Sequence, residues 1–244
     1  MNEKQEKQEE QKKREKQVLE ILTGVGAIIT DSHIVYTSGR HGLAYVNKDA
    51  VYPDTSIISD LCAEIATEFE DEEIDVIIAP AIGGVILSQW TAYWMSAFKG
   101  ETIHAVYAEK DPDGTFVIKR GYDKYIKGKR VLVVEDILTT GGSAKNVIEA
   151  VRAIGGEVVG LGVLCNRGGI VPADVGNVPK LFALTNIKLE SWDEVGCPLC
   201  SQGVPINTDV GKGREFLTRK AKEQAGAQEL AALFSHNVQD QTNK

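Results

Sequence analysis

Short runs of apolar strand residues alternate with helical segments through the middle of this chain. The runs "IDVIIAP", "TIHAVYAEK", "VLVVED", "EVVGLGVLCN" and "KLFALTNI" lack the polar alternation of a half-exposed strand. Among them stand "TSIISDLCAEIATEFE", "GGVILSQWTAYWMSAF" and "SAKNVIEAVRAIGG", whose apolar residues recur at helical spacing. This order predicts an α/β fold in which helices cover both faces of a central parallel sheet. Ligands of such sheets bind beyond the carboxyl ends of the strands.

The 244 residues are enough for one large domain with tails. We predict a charged, flexible segment over 1–16, either a frayed helix or a disordered lead-in. We also predict a main domain over 17–210 that opens with a short helix at about 17–29, and a C-terminal helix or tail over 211–244. Ahead of the alternating part, "HIVYTSGRHGLAYVNKD" predicts two strands around a Ser-Gly turn. Between two strands, "DPDGTFVIKRGYDKYIKGKR" predicts a polar excursion, for which a hairpin is one candidate structure.

Composition and charge exclude several classes of protein. A formal net charge of −8 argues against nucleic-acid binding by bulk electrostatic attraction, although it permits an anionic small ligand. We expect neither secretion nor membrane association, because no run of about eighteen apolar residues occurs and the N-terminal segment is not apolar. Four scattered cysteines do not form a disulfide framework. We therefore expect a cytoplasmic protein.

The segment "VLVVEDILTTGGSAKN", residues 131–146, carries the clearest functional signal. A strand ends in Glu135 and Asp136, and a turn over 139–143 leads into a helix. Free amides at the helix N-terminus, hydroxyl groups and glycines can together hold a phosphate. The helix end alone contributes about 0.3–2 kcal/mol, so amides and hydroxyls must supply most of the binding. The two carboxylates would repel that phosphate unless they face sugar hydroxyls, which indicates a ribose 5-phosphate.

Three other interpretations of this segment were weighed. A P-loop requires G-x-x-x-x-G-K-[ST], which "TTGGSAKN" lacks. A phosphoacceptor receiver domain opens with such a strand, whereas here a strand–helix series precedes it and Asp174 lies in a loop rich in Pro and Gly. A generic strand–helix turn with incidental acids is the remaining alternative.

The run "VLVVEDILTTGGS" resembles the signature by which type I phosphoribosyltransferases bind phosphoribosyl pyrophosphate (PRPP). Over about 17–205 the chain is most similar to the orotate phosphoribosyltransferases. The resemblance implies transfer of phosphoribosyl from PRPP to orotate, giving orotidine 5′-monophosphate and pyrophosphate. It also implies a requirement for Mg²⁺ bound mainly through PRPP, and a homodimer with a small hood formed by N-terminal and C-terminal segments.

The resemblance also implies site residues. "APAIGG" is similar to the family's pyrophosphate loop, "YAEKDPDGTFVIKRGY" to its mobile catalytic loop, "TSGRHGLAYVNKD" to its hood segment and "GVLCNRGG" to the strand end that meets the base. The implied catalytic residues are Lys110, Glu135 and Asp136, with Lys119 and Arg120 as further cations. The implied orotate-binding residues are Lys48, Thr139 and Arg167. The implied PRPP-binding residues are Ile82, Gly83, Glu109, Lys110, Glu135, Asp136, Ile137, Leu138, Thr139, Thr140, Gly141, Gly142 and Ser143.

Some positions depart from the family pattern. Thr37 stands where the family commonly has a lysine before Ser-Gly, with Lys48 as the candidate substitute, and Gly83 stands where the pyrophosphate loop often carries a lysine. The catalytic loop also carries fewer cations than usual. These departures leave two alternatives open: a phosphoribosyltransferase for a purine or another nucleobase, and a PRPP-sensing regulator without turnover.

The cysteines, two of the histidines and a stripe of aromatic residues can be explained by structural roles. Cys197 and Cys200, in "CPLC", have the spacing of half a zinc site, but no second pair of ligands stands nearby in sequence. A turn with incidental thiols is therefore favoured over zinc, with a site completed across a dimer as the alternative. His33 and His41 flank the hood segment and could face solvent or the base. Cys62 and Cys165 are expected in the core, and the aromatic stripe of Trp90, Tyr93, Trp94 and Phe98 is expected to pack, inside the molecule or at a subunit interface.

Overall fold

The structure, a computed structural model, describes the backbone of residues 3–187 and 189–242, and the side-chain environment of 9, 11–187, 189–226 and 228. The chain divides into two compact units, one formed by 3–28 and 47–187 and the other by 29–46 and 189–242. In chain order, the helices and strands are α1 (Glu3–Gly24), β1 (Ile28–Ile29), β2 (Ile34–Val35), β3 (His41–Gly42), β4 (Tyr45–Val46), α2 (Thr55–Glu68), β5 (Val76–Pro80), α3 (Gly83–Lys99), β6 (His104–Lys110), β7 (Phe116–Val117), α4 (Asp123–Ile126), β8 (Arg130–Leu138), α5 (Gly142–Ala153), β9 (Glu157–Asn166), β10 (Leu181–Asn186), β11 (Ser191–Trp192), α6 (Pro198–Ser201) and α7 (Gly213–Thr242).

The first unit contains a sheet with the strand order β10-β9-β8-β5-β6-β7. Neighbouring strands are parallel from β10 to β6, and β7 closes the sheet antiparallel to β6. The predicted α/β fold with a central parallel sheet is therefore confirmed. The polar excursion after β6 does include a hairpin, in which Glu109 and Lys110 pair with Val117 and Phe116.

Both faces of this sheet are buried. In β8, Leu132 and Val134 join an apolar cluster under α2 and α3, while Val131 and Val133 join a second cluster under α5. Successive strand residues thus enter opposite cores, which explains why the strand segments read as unbroken apolar runs. Cys62 lies in the first cluster, and Cys165 is 1% exposed, so the prediction that both thiols are core residues is confirmed.

The first helix is longer than the sequence predicted. It begins at Glu3 instead of near residue 17 and ends at Gly24 instead of residue 29, because the chain turns at Gly26, where φ is +70°. Its C-terminal half packs Val18 and Leu22 into the core, and Arg14 pairs with Glu64 and Glu68 of α2 at 3.3 and 3.0 Å. Flexibility of residues 1–16 stays a prediction.

The second unit contains an antiparallel sheet with the strand order β11-β3-β2. The β2–β3 connection turns at Gly39, where φ is +80°, so the two predicted strands around a Ser-Gly turn are confirmed. The helix predicted beyond residue 211 is α7. Within the described residues of the whole chain, no helix combines the length and apolarity that a bilayer span requires.

Candidate active site

The predicted site segments lie at one edge of the large sheet. Strands β5, β6, β8 and β9 run parallel, so their carboxyl ends share an edge. Residues 81–84 follow β5, and Lys110 ends β6. Glu135 and Asp136 lie near the end of β8, and Arg167 follows β9. The sheet therefore gathers segments that are far apart in the sequence, as expected for a ligand site in an α/β fold.

A small cup at the β8–α5 turn has the form of an anion site. It holds about 150 Å³ and is lined by Glu135, by Ile137 and by residues 138–144. Gly141 adopts φ of +75°, and a Cβ there would lie 2.8 Å from a methyl of Val175, so the turn requires glycine. The first amides of a helix have no intrahelical partner and can bind phosphate, and at the start of α5 the Gly142 amide donates to the Thr140 hydroxyl at 3.4 Å. The cup thus unites the turn residues predicted to bind PRPP.

Two buried carboxylates stand beside the cup. Glu135 and Asp136 are each 6% exposed. Asp136 Oδ2 accepts a hydrogen bond from the Tyr52 hydroxyl at 2.9 Å and pairs with Lys48 Nζ at 2.9 Å, while its Oδ1 accepts from the Ile137 amide at 2.7 Å. Asp136 is therefore held in one orientation by three donors.

Burial and mutual contact shift the pKa values of Glu135, Lys48 and Tyr52. Burial, reinforced by the charge of Asp136, raises the pKa of Glu135 well above its ordinary value. Burial works against the charge of Lys48, but the hydrogen bond and charge of Asp136 outweigh it and raise the pKa of Lys48. Burial and the same carboxylate also raise the pKa of Tyr52, so its hydroxyl stays a donor. A ligand that donates hydroxyl groups to this pair would relieve the cost of burying it.

Lys48 lies against the predicted pyrophosphate loop. A Cβ on Gly83 would sit 2.1 Å from Asp136 Oδ2 and 2.7 Å from Lys48 Nζ, so glycine is what allows these three residues to meet. The sequence places Lys48 near the base; in the structure it pairs with Asp136 and with its neighbour Asp49, and a role towards orotate stays a prediction.

A wider cleft of about 800 Å³ joins this loop to the end of β6. Ile82 is 89% exposed beside it. Arg120 pairs with Glu109, whereas Lys110 has no ion-pair partner within the described part of the chain. The cleft is lined by Lys48, Ala81, Ile82, Gly83, Val85, Ile86, Tyr107, Glu109, Lys110 and Arg120. The predicted pyrophosphate-binding residues and catalytic lysine therefore share one opening.

Arg167 and Thr139, both predicted to meet the base, lie on adjoining backbone segments. The amides of Arg167 and Gly168 both donate to the Leu138 carbonyl at 3.0 Å. A Cβ on Gly168 would stand 1.8 Å from the Thr139 carbonyl oxygen, so only glycine allows this approach. The Asn166 side chain bonds the backbone of Ile170 in both directions, at 2.9 and 3.0 Å, and so fixes the loop that carries Arg167.

The CPLC turn lies in the second unit, beside His33 and His41. These histidines are 1% and 0% exposed, so the solvent-facing interpretation is wrong. No second pair of ligands stands near Cys197 and Cys200 in sequence, but the β2–β3 hairpin brings the rings of His33 and His41 to the thiols in the fold. Sequence spacing held no signal for this approach, which depends on pairing between β3 and β11.

Sequence reasoning also missed Tyr52. Its hydroxyl reaches Asp136 from 84 positions earlier in the chain. A tyrosine just before a predicted helix is unremarkable by itself, and only the packed fold reveals its contact.

Comparison with known proteins shows which family this chain resembles. The model of the phosphoribosyl transferase domain family matches residues 52–195. The orotate phosphoribosyltransferase of Caldanaerobacter subterraneus is 39% identical over 192 residues, which are 78% of this chain and 94% of that protein. The enzyme of the same name from Desulforamulus reducens is 35% identical, covering 78% and 93%. Among solved structures, orotate phosphoribosyltransferase of Mycobacterium tuberculosis aligns with a TM-score of 0.57 at 22% identity, covering 70% of this chain and 96% of that one.

Proposed function

The chain belongs to the orotate phosphoribosyltransferase family, and from this we propose that it transfers phosphoribosyl from PRPP to orotate, releasing pyrophosphate. The observation that carries the proposal is the phosphate-sized cup at residues 139–143 with two buried carboxylates beside it. A ribose 5-phosphate satisfies both features, since its phosphate suits the amides and its vicinal hydroxyls suit the carboxylates. A simple anion would fit the cup but would leave the two carboxylates without a ligand group to contact.

In the proposed reaction, Glu135 and Asp136 act on the sugar. Departure of pyrophosphate leaves positive, oxocarbenium-like charge on the ribose, and carboxylates held beside its hydroxyls favour that charge. Asp136 needs no reorganisation, because Lys48, Tyr52 and the Ile137 amide already orient it. Hydroxyl groups donating to Glu135 would stabilise its ionised form and so oppose the effect of burial.

The pyrophosphate would lie in the wider cleft. Amides around residues 81–84 and the ammonium group of Lys110 are the donors for it, and Lys119 and Arg120 could join if they leave Asp111 and Glu109. These N–H groups cannot ligate Mg²⁺, which prefers hard oxygen ligands and keeps several waters; the oxygens available to it would be those of PRPP and the carboxylates of Glu135 and Asp136. We propose that it is held mainly by PRPP, near Glu135 and Asp136, and that its charge would offset that of the leaving group.

Arg167 is the proposed contact for the orotate carboxylate. A guanidinium group can grip a carboxylate through two parallel hydrogen bonds, and the loop that carries Arg167 is fixed by Asn166. Thr139, on the adjoining segment, is the proposed second contact. We also propose that the protein works in the cytoplasm as a homodimer, with the helix α3 supplying part of the subunit interface.

Orotate absorbance tests the proposal directly. With PRPP and Mg²⁺, the protein should consume orotate and release pyrophosphate in equal amounts. Turnover of adenine or another base with no loss of orotate would move the assignment to a different phosphoribosyltransferase. PRPP-dependent stabilisation with no pyrophosphate release from any base would indicate a sensor instead of an enzyme.

A further inference from the structure

We propose that the second unit holds a structural zinc ion between His33, His41, Cys197 and Cys200. One ligand atom from each of these residues lies within 4.8 Å of all the others. Two thiols and two imidazoles are a usual ligand set for structural zinc. The site lies apart in sequence from the PRPP segments, and the proposal is independent of the proposed activity.

Three of the distances between the ligand atoms match the edges of a zinc tetrahedron. Zn–N bonds of about 2.0–2.1 Å and Zn–S bonds of about 2.3 Å imply N···S edges of about 3.5 Å and an N···N edge of about 3.3 Å. His33 Nε2 lies 3.6 Å from both Sγ atoms, and His41 Nδ1 lies 3.3 Å from Cys200 Sγ. The two nitrogens are 2.9 Å apart, a shorter edge that a small ring rotation would open.

The hydrogen bond of His33 to the backbone orients the ring for a metal. Its Nδ1 lies 2.8 Å from the Val204 carbonyl oxygen, which can only accept, so Nδ1 carries the hydrogen and Nε2 presents a lone pair to the cluster. A backbone carbonyl on the outer nitrogen is the usual support of a zinc-bound histidine. The ring of His33 is thus fixed in the tautomer that a metal needs.

Without a cation the two histidines conflict. If His41 Nδ1 donates to His33 Nε2, then His41 Nε2 is a bare acceptor, and it is buried with no partner in the described part of the chain. If His41 Nε2 carries the hydrogen instead, two lone pairs face each other at 2.9 Å. A cation between the rings accepts both lone pairs, so it removes this repulsion, while the His41 Nε2 hydrogen has no acceptor among the described residues. Two thiolates and one Zn²⁺ also sum to zero charge, which suits a cluster in which His33, His41 and Cys197 are buried and Cys200 lies on the solvent side.

A bound ion would stabilise the second unit, which has little apolar core. This unit consists of 29–46 and 189–242, and neither of the two large apolar clusters of described residues includes a member from it. Small units with little core are commonly stabilised by a disulfide or a metal. His33 and His41 come from the first segment and Cys197 and Cys200 from the second, so a bound ion would cross-link the two.

Metal analysis of the full chain, made without a histidine tag, tests the proposal. We expect about one zinc per chain, and X-ray absorption should show two sulfur and two nitrogen neighbours at about 2.3 and 2.0 Å. Removing zinc with a chelator should lower the unfolding temperature by roughly 5 °C or more, and added zinc alone should restore it. Protein that contains no zinc, takes none up and keeps its unfolding temperature under chelator would overturn the proposal.

Matched variants assign the ligands. The double variant Cys197→Ser, Cys200→Ser should lose zinc, whereas Cys62→Ala, which removes a buried thiol of the first unit, should retain it. If the double variant does not fold, cobalt substitution of the wild-type chain gives the same answer, since Co²⁺ bound by two thiolates shows intense sulfur-to-cobalt absorption bands. Equal zinc in the double variant, a cobalt spectrum without those bands, or a Cys197–Cys200 disulfide in freshly purified protein would contradict the assignment.

Discussion

At the scale of single residues, Asp136 was predicted from the sequence, but two of the residues that contact it were not. The acidic pair and the turn after it were predicted because they are contiguous in sequence. Lys48 and Tyr52 were not predicted as partners of Asp136, because their contacts span a large part of the chain. A motif whose residues are contiguous can be recognised from the sequence alone. The residues that orient it come from distant parts of the chain, so only the tertiary structure identifies them.

Glu135→Gln should separate activity from stability. We expect turnover to fall roughly 100-fold or more, because a carboxylate facing the developing charge is lost. The unfolding temperature at pH 8 should stay the same or rise. The raised pKa of Glu135 means that folding binds its proton more tightly, so this group costs stability as the pH climbs from the ordinary glutamate pKa through the raised one.

The pH profile gives a second measurement on the same variant. In the wild type, turnover should decline as the pH falls through the raised pKa of Glu135, and Glu135→Gln should lack that decline. Wild-type turnover in the variant, or an unchanged pH profile, would refute the role assigned to this residue.

Arg167→Lys should weaken the use of orotate far more than the use of PRPP. The variant keeps a positive charge but loses the planar fork that matches a carboxylate, so KM for orotate should rise roughly tenfold or more while KM for PRPP changes little. Arg152→Lys is the matched control, because Arg152 bonds the Gly176 carbonyl and has no predicted role in the site. Equal rises of both KM values would count against carboxylate recognition by Arg167.

At the scale of helices and strands, the sequence pattern predicted some elements, whereas others depend on tertiary packing. The strands of the large sheet were predicted because both of their faces are buried, which leaves an unmistakable apolar run. The sequence leaves the start of α1 open because its N-terminal half lacks the apolar periodicity on which helix prediction depends. The assembly of His33 and His41 with the CPLC turn was missed because two-residue strands create it, and strands that short have no readable periodicity.

Asp75 and Arg130 join β5 and β8 at the end of the sheet opposite the site. Asp75 accepts from the Arg130 amide at 2.9 Å and from its guanidinium group at 3.0 Å, and these bonds lower the pKa of Asp75 to about 2. Asp75→Asn should cost about 1 kcal/mol of unfolding free energy at pH 7, since the pair is partly exposed, and should leave both KM values unchanged. Glu73→Gln, at the more exposed partner of Arg130, should cost less.

The stabilisation by Asp75 should depend on pH with a definite sign. Its pKa is depressed in the folded chain, so the contribution is complete above the ordinary aspartate pKa and disappears as the pH falls through about 2. Urea unfolding of wild type and Asp75→Asn at pH 7 and pH 3 measures this difference. A gap that widens at the lower pH would contradict the assignment.

At the scale of the whole molecule, the aromatic stripe on α3 bears on assembly. Trp90 and Trp94 pack against the first apolar cluster, which confirms their packing role. Tyr93 and Phe98 remain 57% and 43% exposed. Exposed aromatic residues are enriched at protein interfaces, so we expect these two to contact a second copy of the chain.

Sedimentation of Tyr93→Glu, Phe98→Glu tests that expectation. The wild type should sediment as a dimer and the variant as a monomer, with little change in the unfolding temperature because neither side chain lies in the core. Leu217→Glu, at another exposed apolar residue, serves as the control. Dimers that persist unchanged in the α3 variant would place the interface elsewhere.

The central claim is that one turn holds the phosphate of a ribose while the neighbouring acidic pair holds its hydroxyls. A crystal structure of the protein with PRPP and Mg²⁺ tests it most directly. We predict the 5-phosphate in the cup of residues 139–143 and the ribose hydroxyls within hydrogen-bond distance of Glu135 and Asp136. PRPP bound with its phosphate outside that cup, or its hydroxyls away from both carboxylates, would contradict the account.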